Sequence, residues 1–257
     1  MEEQIAPTSA TGDGSQPNRL RPARRLAALL TATDGDMERH IAERRAAGGD
    51  ILNLSVVEPE LPPPTEALEQ LALTLKAASP VRGAGGVPEY RSAVARWYQS
   101  RFKTSLDPNR EVLPLPCVED GITGLAEVLL DPDDVVLIPD PARPIYNAAL
   151  ATVGARAVSL PLRPEQDFLP ELKAVPLEAT AQARMLWLDY PNQPTGAVAP
   201  ASFFHQVLQF AQERALLVVH IADFSEYSYD GYRTISLLEI PGARQLCVEL
   251  HSPAYTY

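Results

Sequence analysis

Residues 185–219 read MLWLDYPNQPTGAVAPASFFHQVLQFAQERALLVV. Met185-Leu186-Trp187-Leu188 is a short apolar run of the kind that forms a strand buried on both faces. Phe204, Val207, Leu208 and Ala211 then recur at helical spacing, and Leu216-Leu217-Val218-Val219 is a second apolar run. Strand, helix, strand with no polar alternation in the strands indicates a parallel, helix-covered unit.

The same grammar extends both ways from this stretch. Strand-like runs occur at Val112-Leu113, Val135-Val136-Leu137-Ile138, Ala157-Val158-Ser159-Leu160 and Leu246-Cys247-Val248-Glu249-Leu250. A helical stripe of Ile122, Leu125, Ala126 and Leu129 lies between the first two. The fold class is therefore α/β, a mostly parallel sheet flanked by helices. Ligands of such sheets bind beyond the carboxyl ends of the strands. Those ends fall at Asp140-Pro141, Tyr190 to Gly196, His220 to Phe224 and His251 to Tyr257.

Upstream, Leu26 to Ala47 reads as helical with a break near Asp34-Gly35, and Ile51 to Leu54 as a short extended segment. Thr65 is placed to cap a helix whose Leu68, Leu71, Ala72 and Leu75 share one face. Pro88 suits the first position of the next helix. There Tyr90, Ala93, Val94 and Trp97 recur at helical spacing and are expected to pack in the core. Residues 1–24 are expected to form a disordered tail, and 25–257 one large domain.

The chain has 257 residues, a net charge of −11 and 46% hydrophobic residues. That is ample for a core. The negative charge sets aside nucleic-acid backbones and anionic membranes as partners. Four histidines, widely scattered, form no metal-ligand pattern. Cys117 and Cys247 sit in apolar runs and are expected to be buried thiols. No long apolar span or signal-like segment is evident, so a cytoplasmic protein is expected.

Several landmarks occur in order: Gly86-Val87-Pro88-Glu89-Tyr90-Arg91, Pro139 to Tyr146, Tyr190 to Gly196, Ser225-Glu226, Asp230-Gly231-Tyr232, and Glu249 to Ser252 with Thr256-Tyr257. Together they resemble the class I/II aminotransferases, pyridoxal phosphate (PLP) proteins of fold type I. The resemblance implies the large domain of that fold, incomplete at the C-terminus, with the small C-terminal domain absent. It also implies a missing antiparallel strand. Its absence would leave a gap of about 10 Å, two strand spacings, and an unpaired edge. A homodimer or a partner protein covering that edge is the expected partner.

The resemblance further assigns cofactor positions to Val118, Glu119, Arg143, Gln193, Ile221, Phe224, Ser252 and Tyr255. Tyr255 stands where the family has its Schiff-base lysine, and a phenol forms no imine. Ile221 replaces the carboxylate that pairs with the pyridine nitrogen. Phe224 lacks the hydroxyl, and Gln193 the reach, of the groups they replace. Glu119 and Asp120 bring negative charge to a phosphate-binding helix N-terminus. Asp223 could stand in for the lost carboxylate after a local shift. PLP is the cofactor implied by resemblance, without a covalent bond here, and the expectation is an inactive member of the family. Two alternatives stay open: a PLP transaminase completed by a partner chain, and another hydrolase-type activity. For the latter, His220, Asp223 and Ser225, or Glu249, His251 and Ser252, lie close in sequence.

Overall fold

The computed structural model of the protein describes residues 23, 25, 35–54, 59, 61–76 and 85–255. The tail read at 1–24, the helical reading of 26–34 and the segment around 77–84 thus lie largely outside the described residues.

Three helices come first: α1 (Gly35–Ala46), α2 (Thr65–Lys76) and α3 (Pro88–Arg101). After α4 (Val118–Leu129) the order is β1 (Val135–Asp140), α5 (Pro144–Val153), β2 (Arg156–Pro161), α6 (Leu177–Gln182), β3 (Ala183–Asp189), α7 (Ala201–Arg214), β4 (Leu217–Ile221) and β5 (Cys247–Leu250). The five strands form one sheet in the order β2-β1-β3-β4-β5, and every pairing is parallel.

The period-two geometry of strands divides the core. Leu186, Leu188 and Val218 face α7, against Phe204, Val207, Leu208 and Ala211. Met185, Trp187, Val219 and Ile221 face the opposite side, against Ile122 and Ala126 of α4 and Tyr146 and Leu150 of α5. Local signals bound the helices. Pro144 starts α5 and left-handed Gly154 (φ 78°) ends it. Ala215 at φ 53° ends α7 in the same way.

The central readings hold at β1, β3, β4, β5, α4 and α7, while the margins differ. Val112-Leu113 is not a strand; Leu113 is 68% exposed. A strand needs a hydrogen-bonding neighbour, and among the described residues β5 has one only on its β4 side. The face of α3 carrying Val94 and Trp97 does not pack in the core. With the 106–113 segment and β5 it lines a cavity of about 870 Å³.

Other corrections follow from burial. β2 is mostly exposed because it is the other sheet edge. Leu52 and Leu54 are exposed and lie in no strand. Thr65 is the first helical residue, and the Pro64 carbonyl accepts the first helix N–H groups instead. Leu68, Leu71 and Leu75 on α2 are exposed. Neither cysteine is buried: Cys117 is exposed on the turn before α4, and Cys247 is half-buried at the β5 edge.

Candidate functional site

Strand order reverses between β1 and β3, since the chain goes outward from β1 to β2 and then returns to the other side of β1. The loops leaving β1 and β3 therefore separate and leave a crevice at the carboxyl ends. A pocket of about 520 Å³ lies there, walled by Ala142 to Ile145 after β1, Gln193 and Pro194 after β3, Glu119 of α4, and Tyr255.

The loop after β3 is held by Asn192, which is buried. Its side-chain oxygen accepts from the Thr195 hydroxyl at 2.6 Å and the Thr195 amide at 3.2 Å. Its side-chain amide donates to the Asp189 carbonyl at 3.2 Å. Gly196, at φ 72°, takes the left-handed turn that returns its N–H to the Asn192 carbonyl at 2.8 Å. These bonds present Gln193 to the pocket.

Arg143 precedes α5 and is buried. Its Nη1 donates to Asp223 Oδ2 at 2.8 Å and its Nη2 to Glu119 Oε1 at 2.7 Å. The guanidinium thus bridges the loop after β4 to the start of α4. Burial opposes its charge most strongly, yet the bond to Asp223 and the charges of Asp189 and Asp223 together outweigh it and raise its pKa. Burial likewise pushes the Asp223 carboxyl up, and Arg143 pulls it back only in part. Asp189, at the end of β3, is pushed up to about 8, first by burial and then by Asp223, against the pull of Arg143. The Tyr146 hydroxyl donates to Asp189 Oδ2 at 3.4 Å. Asp189 Oδ1 and Asp223 Oδ1 have no hydrogen-bond partner among the described residues. One arginine therefore serves two buried carboxylates and a third at the pocket wall.

Glu119, Arg143, Gln193 and Tyr255 are brought together here. The Tyr255 ring lies 5.0 Å from that of Phe224, which forms the backing. Val118 and Ile221 instead lie in the apolar core between the sheet and α4–α5. Ser252 accepts from the Ala254 amide at 3.2 Å and faces the larger cavity. Arg143 holds Asp223.

The sequence sets His220–Asp223–Ser225 and Glu249–His251–Ser252 do not assemble as read. His220 and Glu249 are register partners on β4 and β5, so His220 Nδ1 lies 2.7 Å from Glu249 Oε1. His220 Nε2 faces the Tyr190 carbonyl at 3.0 Å. Ser225 pairs with His251, at 3.4 Å. Glu249 is wholly buried, which alone would push its carboxyl up. The hydrogen bond and charge of His220 and the nearby charge of His251 outweigh that and hold it well below the usual range. Sequence reading passed over Asp189 and Tyr98, whose hydroxyl donates to Glu249 at 2.9 Å. For Asp189 a signal existed, an acid directly ending the apolar run of β3.

Comparisons with known proteins agree with this geometry. The sequence profile described as "Aminotransferase class I and II" matches residues 49–230. LL-diaminopimelate aminotransferase of Desulforudis audaxviator is 40% identical over 237 residues, which cover 91% of this chain and 60% of the relative. The enzyme of that name from Dehalococcoides mccartyi is 41% identical over 223 residues, covering 86% and 58%. Among solved structures, a probable N-succinyldiaminopimelate aminotransferase from Thermus thermophilus superposes with a TM-score of 0.80 at 34% identity, covering 86% of this chain and 60% of that one. BacF from Bacillus subtilis gives 0.84 at 26% identity, covering 91% and 60%. The chain spans about 60% of the length of these relatives. Members of this group are PLP enzymes, and they are typically homodimers. The chain belongs to the class I and II aminotransferase family.

Proposed function

We propose that this chain carries the aminotransferase scaffold without transaminase chemistry of its own. The observation that carries this reading is Tyr255 on the pocket wall beside Glu119, Arg143 and Gln193, at the place the resemblance gives to the lysine. PLP needs an amine for its imine, a carboxylate at its ring nitrogen and donors for its phosphate. The residues here do not fit that group. Ile221 is packed in hydrocarbon. Glu119 and Asp120 lie in the first turn of α4, where their negative charge complements the helix dipole and repels a dianion. The only positive charge lining the pocket among the described residues, Arg143, is already held by two carboxylates.

The test is PLP addition followed by borohydride and mass mapping. No lysine should carry a stoichiometric adduct, and LL-diaminopimelate with 2-oxoglutarate should not transaminate. A single stoichiometric lysine adduct would overturn the reading. A second reading, a transaminase completed by a partner chain, is favoured by the open edge of β5 beside its 870 Å³ cavity. That reading requires the partner to supply the lysine, and the adduct would then map to the partner.

A further inference from the structure

Two carboxyls, Asp189 and Asp223, are buried at the carboxyl end of the sheet, and each has one oxygen without a hydrogen-bond partner among the described residues. One guanidinium serves both. Arg143 Nη1 donates to Asp223 and Nη2 to Glu119, while Asp189 Oδ2 accepts from the Tyr146 hydroxyl at 3.4 Å. The groups facing Asp189 are Arg143 and Tyr146 on the α5 side, the Gln193 backbone N–H from the loop after β3, and Asp223 from the loop after β4. Its register partner on β4 is the apolar Ile221. Asp223 in turn faces Arg143, Glu119 of α4 and His251.

With Asp189 protonated, the guanidinium balances two carboxylates. With Asp189 ionised, three compete for it, and an ionised carboxyl withdrawn from water is costly without a cation. Glu119 differs from the other two. It lies in the first turn of α4, where the helix dipole supports its charge, and its side chain is 42% exposed. It therefore loses least by leaving Arg143. The guanidinium carries five N–H groups in a planar fork. One branch can stay on Asp223 while the other turns to the unpartnered oxygen of Asp189.

We propose that Asp189 is a proton-operated switch on the Arg143 clamp: protonated, it leaves Arg143 tying Glu119 to Asp223; ionised, it draws Arg143 to itself and releases Glu119. The tie that opens joins the first turn of α4 to the residue preceding α5, two walls of the smaller pocket. Alkali thus loosens that pocket wall while the sheet beneath stays paired. Burial pushes the Asp189 carboxyl up to about 8 against the pull of Arg143, which puts the exchange just above neutrality. Burial, then the charge of Asp189, pushes the Tyr146 hydroxyl well above its ordinary value, so it remains a donor on both sides of the exchange.

The experiment has two arms, both on the whole chain. In the first, NMR follows wild-type protein carrying ¹³C at its aspartate and glutamate side-chain carboxyls. One aspartate signal should titrate between about pH 7 and 9, and the Glu119 signal, assigned by its loss in Glu119→Gln, should shift over the same range. In the second, urea unfolding compares Glu119→Gln with the parent at about pH 6.5 and about pH 9. The loss in folding equilibrium constant should be about fivefold greater at the lower pH, the upper size for a partly exposed ion pair. The helix-dipole share of that loss is common to both pH values and cancels. In an Asp189→Asn background the loss should be equal at both. The wild-type titration decides the matter even where that background fails to fold. No aspartate titrating in this range, a Glu119 signal that stays fixed while one does, or a Glu119→Gln loss equal at both pH values overturns the proposal. Neither arm bears on the lysine adduct that tests the PLP reading.

Discussion

Asp189 closes β3 with a carboxyl that is 1% exposed, one oxygen of which has no hydrogen-bond partner among the described residues. In the unfolded chain it ionises near 3.8, and in the folded protein at about 8. Between those values the folded state keeps a proton that the unfolded state has lost. Stability from this residue therefore falls as pH rises from about 4 to about 8 and then levels off. Glu249 acts in the opposite sense. Its folded pKa is lowered, so its contribution is present above the usual carboxylate range and fades on acidification. Asp189→Asn should be more stable than the parent at pH 8, by a few kcal/mol in order of magnitude, and nearly equal to it at pH 3.5. Urea unfolding at both values checks this, and equal differences at both would contradict the buried-acid argument. An acid after Leu188 was visible in the sequence. That Asp223 and Arg143 converge on it was not, because they lie on separate loops that only the sheet brings together.

At the scale of elements, Arg143 joins three pieces: the start of α5, which it caps, the first turn of α4 through Glu119, and the loop after β4 through Asp223. Removing one member of a buried pair leaves an uncompensated charge, costing about 3–5 kcal/mol. Arg143→Met should lose stability of that order, and Arg143→Met with Asp223→Asn should recover most of it. Denaturant midpoints at neutral pH measure both, and a double variant no better than the single would show that the pair is not the cause. Elements were legible where both partners of a contact lie inside the chain. The stripe Phe204, Val207, Leu208, Ala211 is fully buried because the sheet it covers is present. The equally regular stripe on α3 was expected to be covered and is not. Helical spacing says which residues share a face, and nothing about what lies opposite. Val112-Leu113 failed as a strand for the same reason.

For the molecule as a whole, the chain spans about 60% of its relatives and exposes much apolar surface among the described residues. Leu68, Leu71 and Leu75 are 46%, 55% and 76% exposed on α2, and β5 presents an open edge. Such surfaces associate. The isolated chain should therefore self-associate with rising concentration, as light scattering would show. Leu71→Lys with Leu75→Lys should reduce that association without changing the unfolding midpoint by more than about 0.5 kcal/mol. Monodisperse monomer across a wide concentration range would contradict the prediction.

The sequence by itself determined the α/β class, the central strands, the loops that gather at their carboxyl ends, and the family. Each of these rests on short-range periodicity or on turn residues, which act within a few positions of the chain. Tertiary structure alone decided the pairings. Arg143 bridges Glu119 and Asp223, His220 meets Glu249 through strand register, Ser225 finds His251, and the space beside β5 stays open. Such contacts join residues up to 80 positions apart, and their distances follow from how the strands are ordered in the sheet, which no local pattern encodes.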